Sequence, residues 1–319
     1  MRPATLPPLT MLQVYHQSAQ VVADIKVALP NSVRIRQFLG TPTGARKLNC
    51  GRHLIEVRRH ILERYLAFNR PLTLVICPQK FEEWLKTKGL PDDITVEHYN
   101  NVTGIDDYRD VRLILLIGRT APGPAAMESL SAALTGKLPV SAIAGNSGFH
   151  WYNDIKRGIR LRSGPSVTTW GDLHPDPEVE AIRWQIHEGE LVQAFGRARA
   201  VNRTASTPLD ADLLFDTCLP IEVDEVISWQ PPSLLIETAA IEGVMLTAEC
   251  DLMKCWPMLW PNRTSATRTL RQGVPKLPGF EPVEYQLVGP KMNKRIGHFD
   301  LTIIPDPRAW LEANIGRLI

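Results

Sequence analysis

The sequence predicts an α/β fold: a parallel sheet with helices on both faces, followed by a small C-terminal α+β domain. Two apolar, β-branched runs, Leu72-Thr73-Leu74-Val75-Ile76-Cys77 and Val111-Arg112-Leu113-Ile114-Leu115-Leu116-Ile117, have the continuous character of strands covered on both faces. Segments of helical period alternate with them, which is the pattern of crossover connections between parallel strands. Beyond about residue 236 the alternation gives way to short helices and then to strand-like runs separated by turn residues.

In order, the chain offers a helix within residues 19–29, a short strand at Val33-Arg34-Ile35-Arg36 and a loop at residues 40–47. The loop, Gly40-Thr41-Pro42-Thr43-Gly44-Ala45-Arg46-Lys47, has three residues between its glycines, and Leu48 follows the lysine. A phosphate-cradling P-loop needs four, then Lys-Ser/Thr. Residues 52–69 place Leu54, Val57, Ile61, Leu62, Tyr65 and Leu66 at helical spacing, so a helix packed on something is expected. A second helix spans residues 79–88 with Gly89 as its C-cap, and Ile94-Thr95-Val96-Glu97-His98-Tyr99 forms another strand. A surface helix at 125–134 precedes a hairpin insertion, with strands 158–162 and 166–169 on either side of Ser163-Gly164-Pro165. At His174-Pro175-Asp176-Pro177 a helix starts: Asp176 caps, Pro177 suits the first turn, and Gly189 weakens the helix enough to bend it. Residues 211–218 and 226–229 supply more strand, and Pro231-Pro232 reads as a linker. The C-terminal part is expected to hold helices at 242–256 and 265–271, strands at 285–288 and 298–304, and a last helix from Asp306 docking through Trp310, Leu311 and Ile315.

Composition bounds the function. The fractions of apolar and charged residues, 44% and 22%, are those of a globular protein of about two domains. No apolar run has the length of a membrane span, and the first residues lack the apolar core of a signal peptide, so a cytoplasmic protein with no membrane partner is expected. Five scattered cysteines, none in Cys-x-x-Cys spacing, read as buried thiols and give no metal site. A net charge of +2 is too small to argue for nucleic acid, so any such case rests on where the charges lie. The eight histidines are dispersed, and no Ser-His-Asp constellation can be assembled from spacing.

The candidate site residues cluster in three stretches. Gln193, Gly196, Arg197, Arg199 and Arg203 stand at the end of an amphipathic run, where guanidinium forks match phosphate oxygens; the competing reading is a solvated helix end. Between two strands, Asn101-Val102-Thr103-Gly104-Ile105-Asp106-Asp107-Tyr108-Arg109-Asp110 puts a glycine and carboxylates where a ribose or an arginine could be met; an ordinary Asp/Gly turn is the alternative. In the tail, Arg263, Arg268, Arg271, Lys276, Lys291, Lys294 and Arg295 outnumber the local acids, the balance that a duplex-binding face requires; a solvated cap is the alternative.

Taken together, Leu74 to Lys80, Thr103-Gly104-Ile105-Asp106 with Asp110-Val111, and Gln193-Ala194-Phe195-Gly196-Arg197 resemble, in order, three motifs of the second motor lobe of superfamily 2 helicases. The stretch from His174 to Arg203 is similar to helicase-like proteins of bacterial mobile elements and prophages that are labelled DNA primase or primase-helicase. The resemblance covers residues 46–235 and implies a RecA-like lobe, with 1–45 as an N-terminal segment; residues 236–319, basic and read as two short helices followed by a two-stranded hairpin, resemble a winged helix-turn-helix domain. It implies ATP and Mg²⁺ held between two lobes, with DNA and a P-loop-bearing lobe or primase subunit as partners. On this chain Arg197 matches the arginine finger and Gln193 a phosphate- or water-orienting position. Gly104, Asp106, Gly196 and Arg203 fall on the nucleotide side. Ala200 stands where helicases place a second arginine, so Arg199 or Arg203 would have to substitute. No P-loop precedes these motifs, and Asp224-Glu225 follows the arginine motif rather than preceding it. The expectation is therefore half a motor, inactive as an ATPase alone; the alternative is a non-enzymatic DNA-binding accessory protein.

Overall fold

The structure, a computed structural model, describes residues 18, 20, 28–44, 47–101, 108–142, 152–288 and 293–319. Two compact units share the chain: Met1–His53 with Leu72–Trp229, and Leu54–Pro71 with Gln230–Ile319.

The first unit is α/β. Strands β1 (Val33–Leu39), β2 (Thr73–Cys77), β3 (Ile94–His98), β4 (Leu113–Ile117), β7 (Leu209–Leu214) and β9 (Glu225–Ser228) form one sheet in the order β3-β2-β4-β7-β1-β9, and every pairing is parallel. Side-chain character tracks position in the sheet for β2, β3 and β4. β2 and β4, in the interior, are wholly buried and apolar at every position but Thr73, whereas the edge strand β3 is mostly half-exposed. The stretch 1–45, set apart in the sequence reading, contributes β1 to the sheet interior. There Val33 and Ile35 face the core, while Arg36 turns to the other side and binds the buried Asp212 of β7 at 2.7 Å.

Helices α2 (Gln79–Lys88), α3 (Pro124–Thr135), α4 (Pro177–Trp184) and α5 (Glu190–Gly196) flank the sheet. α1 (Gly51–Ala67) leads out of the β1 loop. Asp176 caps α4 as its position predicts, accepting from the backbone N–H of Glu178 and Val179. The expected weakness near Gly189 takes the form of a π-turn, Gln185–Gly189, between α4 and α5. The hairpin insertion is also found and is longer than predicted. β5 (Asn153–Leu161) and β6 (Ser166–Leu173) pair antiparallel, and the two-residue β8 (Glu222–Val223) extends them to a three-stranded sheet, β6-β5-β8.

In the second unit the Leu54–Pro71 segment joins the C-terminal residues. Arg58 and Arg59 both pair with Glu237, Arg59 donates to the Pro232 carbonyl, and Arg70 pairs with Asp300. The helix predicted across 242–256 is divided. α6 (Leu235–Glu242) stops at Gly243, whose φ of +72° is left-handed and whose Cβ would lie 3.0 Å from Ile303. β10 (Val244–Leu246) follows, and only then α7 (Glu249–Cys255). The predicted two-stranded hairpin is a three-stranded antiparallel sheet, β10-β12-β11, with β11 at Phe280–Tyr285 and β12 at Arg295–Asp300. α8 (Arg263–Arg271) and α9 (Pro307–Asn314) complete the unit. Trp310 docks as expected, stacking on Trp256 at 6.0 Å and meeting Phe299 edge-on, with Leu311 and Ile315 buried beside it.

Candidate functional site

β4 and β7 are parallel neighbours, so the chain segments entering them lie at the same edge of the sheet. Arg109 and Asp110 come just before β4; Arg199, Asn202, Arg203 and Thr207 come just before β7. These six residues line one cavity of about 370 Å³. Two stretches singled out in the sequence, some ninety residues apart, therefore converge, and they do so at the strand N-terminal edge. Ligand loops of parallel sheets ordinarily lie at the opposite, C-terminal edge, where the 101–110 loop was expected to act. The 99–112 connection crosses from one edge to the other, and its Arg109 end is the part that meets the arginines. Gly104 and Asp106 lie outside the described residues.

The three arginines of this cavity differ. Arg203 is buried, and its guanidinium donates twice to the Ala198 carbonyl, at 2.8 and 2.5 Å. Burial and the nearby Arg112 push its pKa down. It fastens the helix end to the turn that follows, so it holds the cavity wall. Arg109 is open to solvent, 3.6 Å from Asp110. Arg199 is exposed and takes a left-handed φ of +50°, rare for a non-glycine residue. Thr204, Ser206 and Thr207 knit their hydroxyls together at 2.9–3.1 Å, and Arg112 donates to the Ser206 carbonyl, which fixes the entry into β7. Gln193, Gly196 and Arg197, on and just after α5, are not part of the cavity lining. Chemically the cavity suits phosphate oxygens. Among the described residues of its lining, Asp110 is the only carboxylate, and there is no histidine, cysteine or serine to act as nucleophile or base. Among the described residues no group of three His, Cys, Asp or Glu side chains could hold a metal ion.

A second polar cluster, not anticipated from the sequence, occupies the other edge. Thr217 follows β7 and Arg119 follows β4. Arg119 donates to Thr217 Oγ1 at 3.1 Å and to Asp172 Oδ2 at 3.2 Å. The π-turn brings up His187, whose Nε2 lies 3.2 Å from the same Oγ1 and whose Nδ1 lies 3.0 Å from Arg183 Nη1. Arginine only donates, so Nδ1 must accept and the proton sits on Nε2. Burial, then Arg119, Arg183 and Arg157, drive the His187 pKa down to about 2. Arg183, fully buried, also binds Glu180 through two nitrogens and Glu188 at 2.9 Å. Burial opposes its charge, but these carboxylates raise its pKa overall, while burial raises that of Glu188. The sequence signal was slight: Arg183 and His187 stand four apart, as charged residues on a helix's solvent face commonly do.

In the second unit the predicted basic residues separate. Arg268 and Arg271 are exposed on α8. Arg263 binds Glu249 at 2.5 Å, and Lys294 sits 3.3 Å from Glu284. Arg295 is turned inward onto the buried Asp251 at 2.5 Å, where Tyr285 also donates, so its charge serves the interior. Lys291 lies outside the described residues. Among the described residues no helix is long and apolar enough to cross a membrane. No family model, curated protein or solved structure matches the chain.

Proposed function

We propose that this chain acts as the second, RecA-like motor lobe of a superfamily 2-type DNA helicase or primase-helicase. It supplies arginines to a nucleotide that another, P-loop-bearing lobe holds. The observation that carries this reading is the convergence of Arg109 and Asp110 with Arg199, Asn202 and Arg203 on one cavity, which unites ends of two segments with helicase-like sequence. A parallel α/β sheet is the scaffold the reading requires. Arg199 is the arginine placed to reach a phosphate, with Arg197 beside it on the chain, while Arg203 braces the wall. Bound Mg²⁺ and ATP would supply the reactive phosphoryl group, with the metal's carboxylates and the P-loop coming from the partner lobe. This chain's own part is to neutralise charge as the phosphoryl group leaves.

The chain alone should turn over ATP negligibly, and a P-loop-bearing helicase lobe should restore turnover. In the restored pair, replacing the finger arginine, tested as Arg197→Ala and Arg199→Ala, should lower the rate by about 10³-fold or more. Turnover by the chain alone, or undiminished stimulation by both variants, would defeat the assignment.

A non-enzymatic DNA-binding role for the second unit, taken as a winged-helix-like domain, is favoured by one observation, the exposure of Arg268 and Arg271 on α8. Replacing both with alanine should then flatten the salt dependence of duplex binding by about 1.8 in log–log slope, two phosphates at roughly 0.9 each.

A further inference from the structure

The hairpin β5/β6 turns one face to the core, where Ile159 is buried in the main apolar cluster and Thr169 is also buried. Because side chains alternate along a strand, the opposite face carries Lys156, Gly158 and Arg160 from β5 and Ser166, Thr168 and Trp170 from β6. The pairing register sets Lys156 opposite Trp170, Gly158 opposite Thr168 and Arg160 opposite Ser166.

Trp170 is 58% exposed, which is uncommon for the largest apolar side chain in the middle of a strand. Among the described residues, nothing in the hairpin's packing calls for a tryptophan there. Lys156 sits 5.4 Å from its ring centroid, so a cation lies beside an open aromatic surface. Between the two cations, Gly158 and Thr168 keep the face low. Lys156 and Arg160 are four residues apart, about 13 Å along the strand, roughly the span of two nucleotide steps in an extended single strand. Asp154 and Asp172 at one end of this face and Glu222 at the other bear opposite charge, with Asp172 met by Arg119, so the cations act locally, beside the ring, rather than as a broad basic field.

We infer that the outer face of the β5/β6 hairpin binds single-stranded nucleic acid, with one base stacked on Trp170 and flanking phosphates met by Lys156 and Arg160. The inference deepens the helicase-lobe reading by naming the strand-contact surface of the same unit, but the chemistry needs no nucleotide and no partner lobe. A duplex has no unstacked base to offer the ring, and an acidic peptide has no base at all, so a single strand is the occupant that uses both halves of the site.

The full chain, without ATP, is titrated into fluorescently labelled dT and U oligonucleotides and a duplex of equal length. Anisotropy should show tighter binding of the single strands than of the duplex. Trp170→Ala should weaken single-strand binding on the order of tenfold, and Trp170→Phe should keep most of it. The ring is exposed, so the thermal midpoint of both variants should match the parent. The double replacement Lys156→Ala and Arg160→Ala should flatten the log–log salt dependence by about 1.4, roughly 0.7 per phosphate on a single strand. Relative affinity for dT and U tells which nucleic acid is preferred, and either supports the site. Unchanged affinity in Trp170→Ala, or preference for the duplex or for a polyglutamate competitor, overturns it. If binding is lost in Arg268→Ala/Arg271→Ala but not in Trp170→Ala, the hairpin site fails while a DNA-binding reading stands. If Trp170 matters but a P-loop lobe is never stimulated, the motor reading fails and the hairpin site stands.

Discussion

Two arginine clusters sit at opposite ends of the same parallel strands, and they have been put to different uses. At the C-terminal edge every cation is met: Arg183 by two carboxylates and a neutral histidine, Arg119 by Asp172 and Thr217. At the N-terminal edge Arg203 and Arg112 are tied to carbonyls, while Arg109, beside Asp110, and Arg199 are exposed and line an open cavity with Arg203. Parallel α/β sheets most often bind ligands at the C-terminal edge. Here that edge is filled by the protein's own side chains, and the accessible cationic surface lies at the other. Whether an arginine is buried in the fold or exposed toward a ligand is decided by the tertiary structure around it, which a short sequence motif does not reveal.

The sharpest way to break this contrast is to open the closed edge. Arg183→Met should cost about 3–5 kcal/mol in urea-induced unfolding, because Glu188 and Glu180 would be left with charge in a desolvated place. Adding Glu188→Gln should return part of the loss. A loss below about 1 kcal/mol for the single variant would mean that water already screens the cluster.

A smaller effect should appear with pH. His187 is held neutral, its pKa driven from an ordinary value near 6.5 to about 2. The unfolded chain therefore takes up this proton first as pH falls. The stability this group contributes is fully present above pH 6.5 and is lost progressively below it. Lowering pH from 6.5 to 5 should remove on the order of 2 kcal/mol through this residue. His187→Gln, which can still accept from Arg183 and donate to Thr217, should flatten that slope in unfolding curves measured at successive pH values. An unchanged slope would show that other groups control acid sensitivity.

What was legible in the sequence follows from which forces act locally. The buried runs Leu74–Cys77 and Leu113–Ile117 announced themselves because a strand covered on both faces must be apolar throughout. Asp176 announced its helix because a cap acts within one turn. Strand order was not readable: nothing within Val33–Leu39 says that β1 lies between β7 and β9. β10 was missed because three apolar residues after a glycine read equally well as helix; pairing with β12, some fifty residues on, decides between them. Of the site, the arginine-rich stretch was visible as a pattern, whereas Arg109 as its neighbour and Arg203 as a brace depend on contacts made across the fold. The π-turn cluster was hidden because Arg183, His187 and Glu188 look like a helix's solvent face until the chain buries them.

The smallest change in stability, and the most discriminating one, is expected at Arg199. Its left-handed backbone costs an arginine about 1–2 kcal/mol relative to a right-handed conformation, and glycine would avoid that cost. Glycine also loses more freedom on folding, by roughly 0.5–1 kcal/mol, so Arg199→Gly should alter stability by between about 0 and +1.5 kcal/mol. Arg199→Ala keeps the strained backbone and should leave stability within about 0.5 kcal/mol of the parent, as surface changes usually do. Both variants remove the same guanidinium, so both should weaken binding of pyrophosphate, measured by calorimetry on the full chain. A stabilised glycine variant that binds the anion poorly would mean that the chain tolerates backbone strain at this position in order to present a cation, as strained residues at binding sites do. A glycine variant that binds pyrophosphate as well as the parent would place the open edge in the same class as the closed one, with arginines that serve the fold alone.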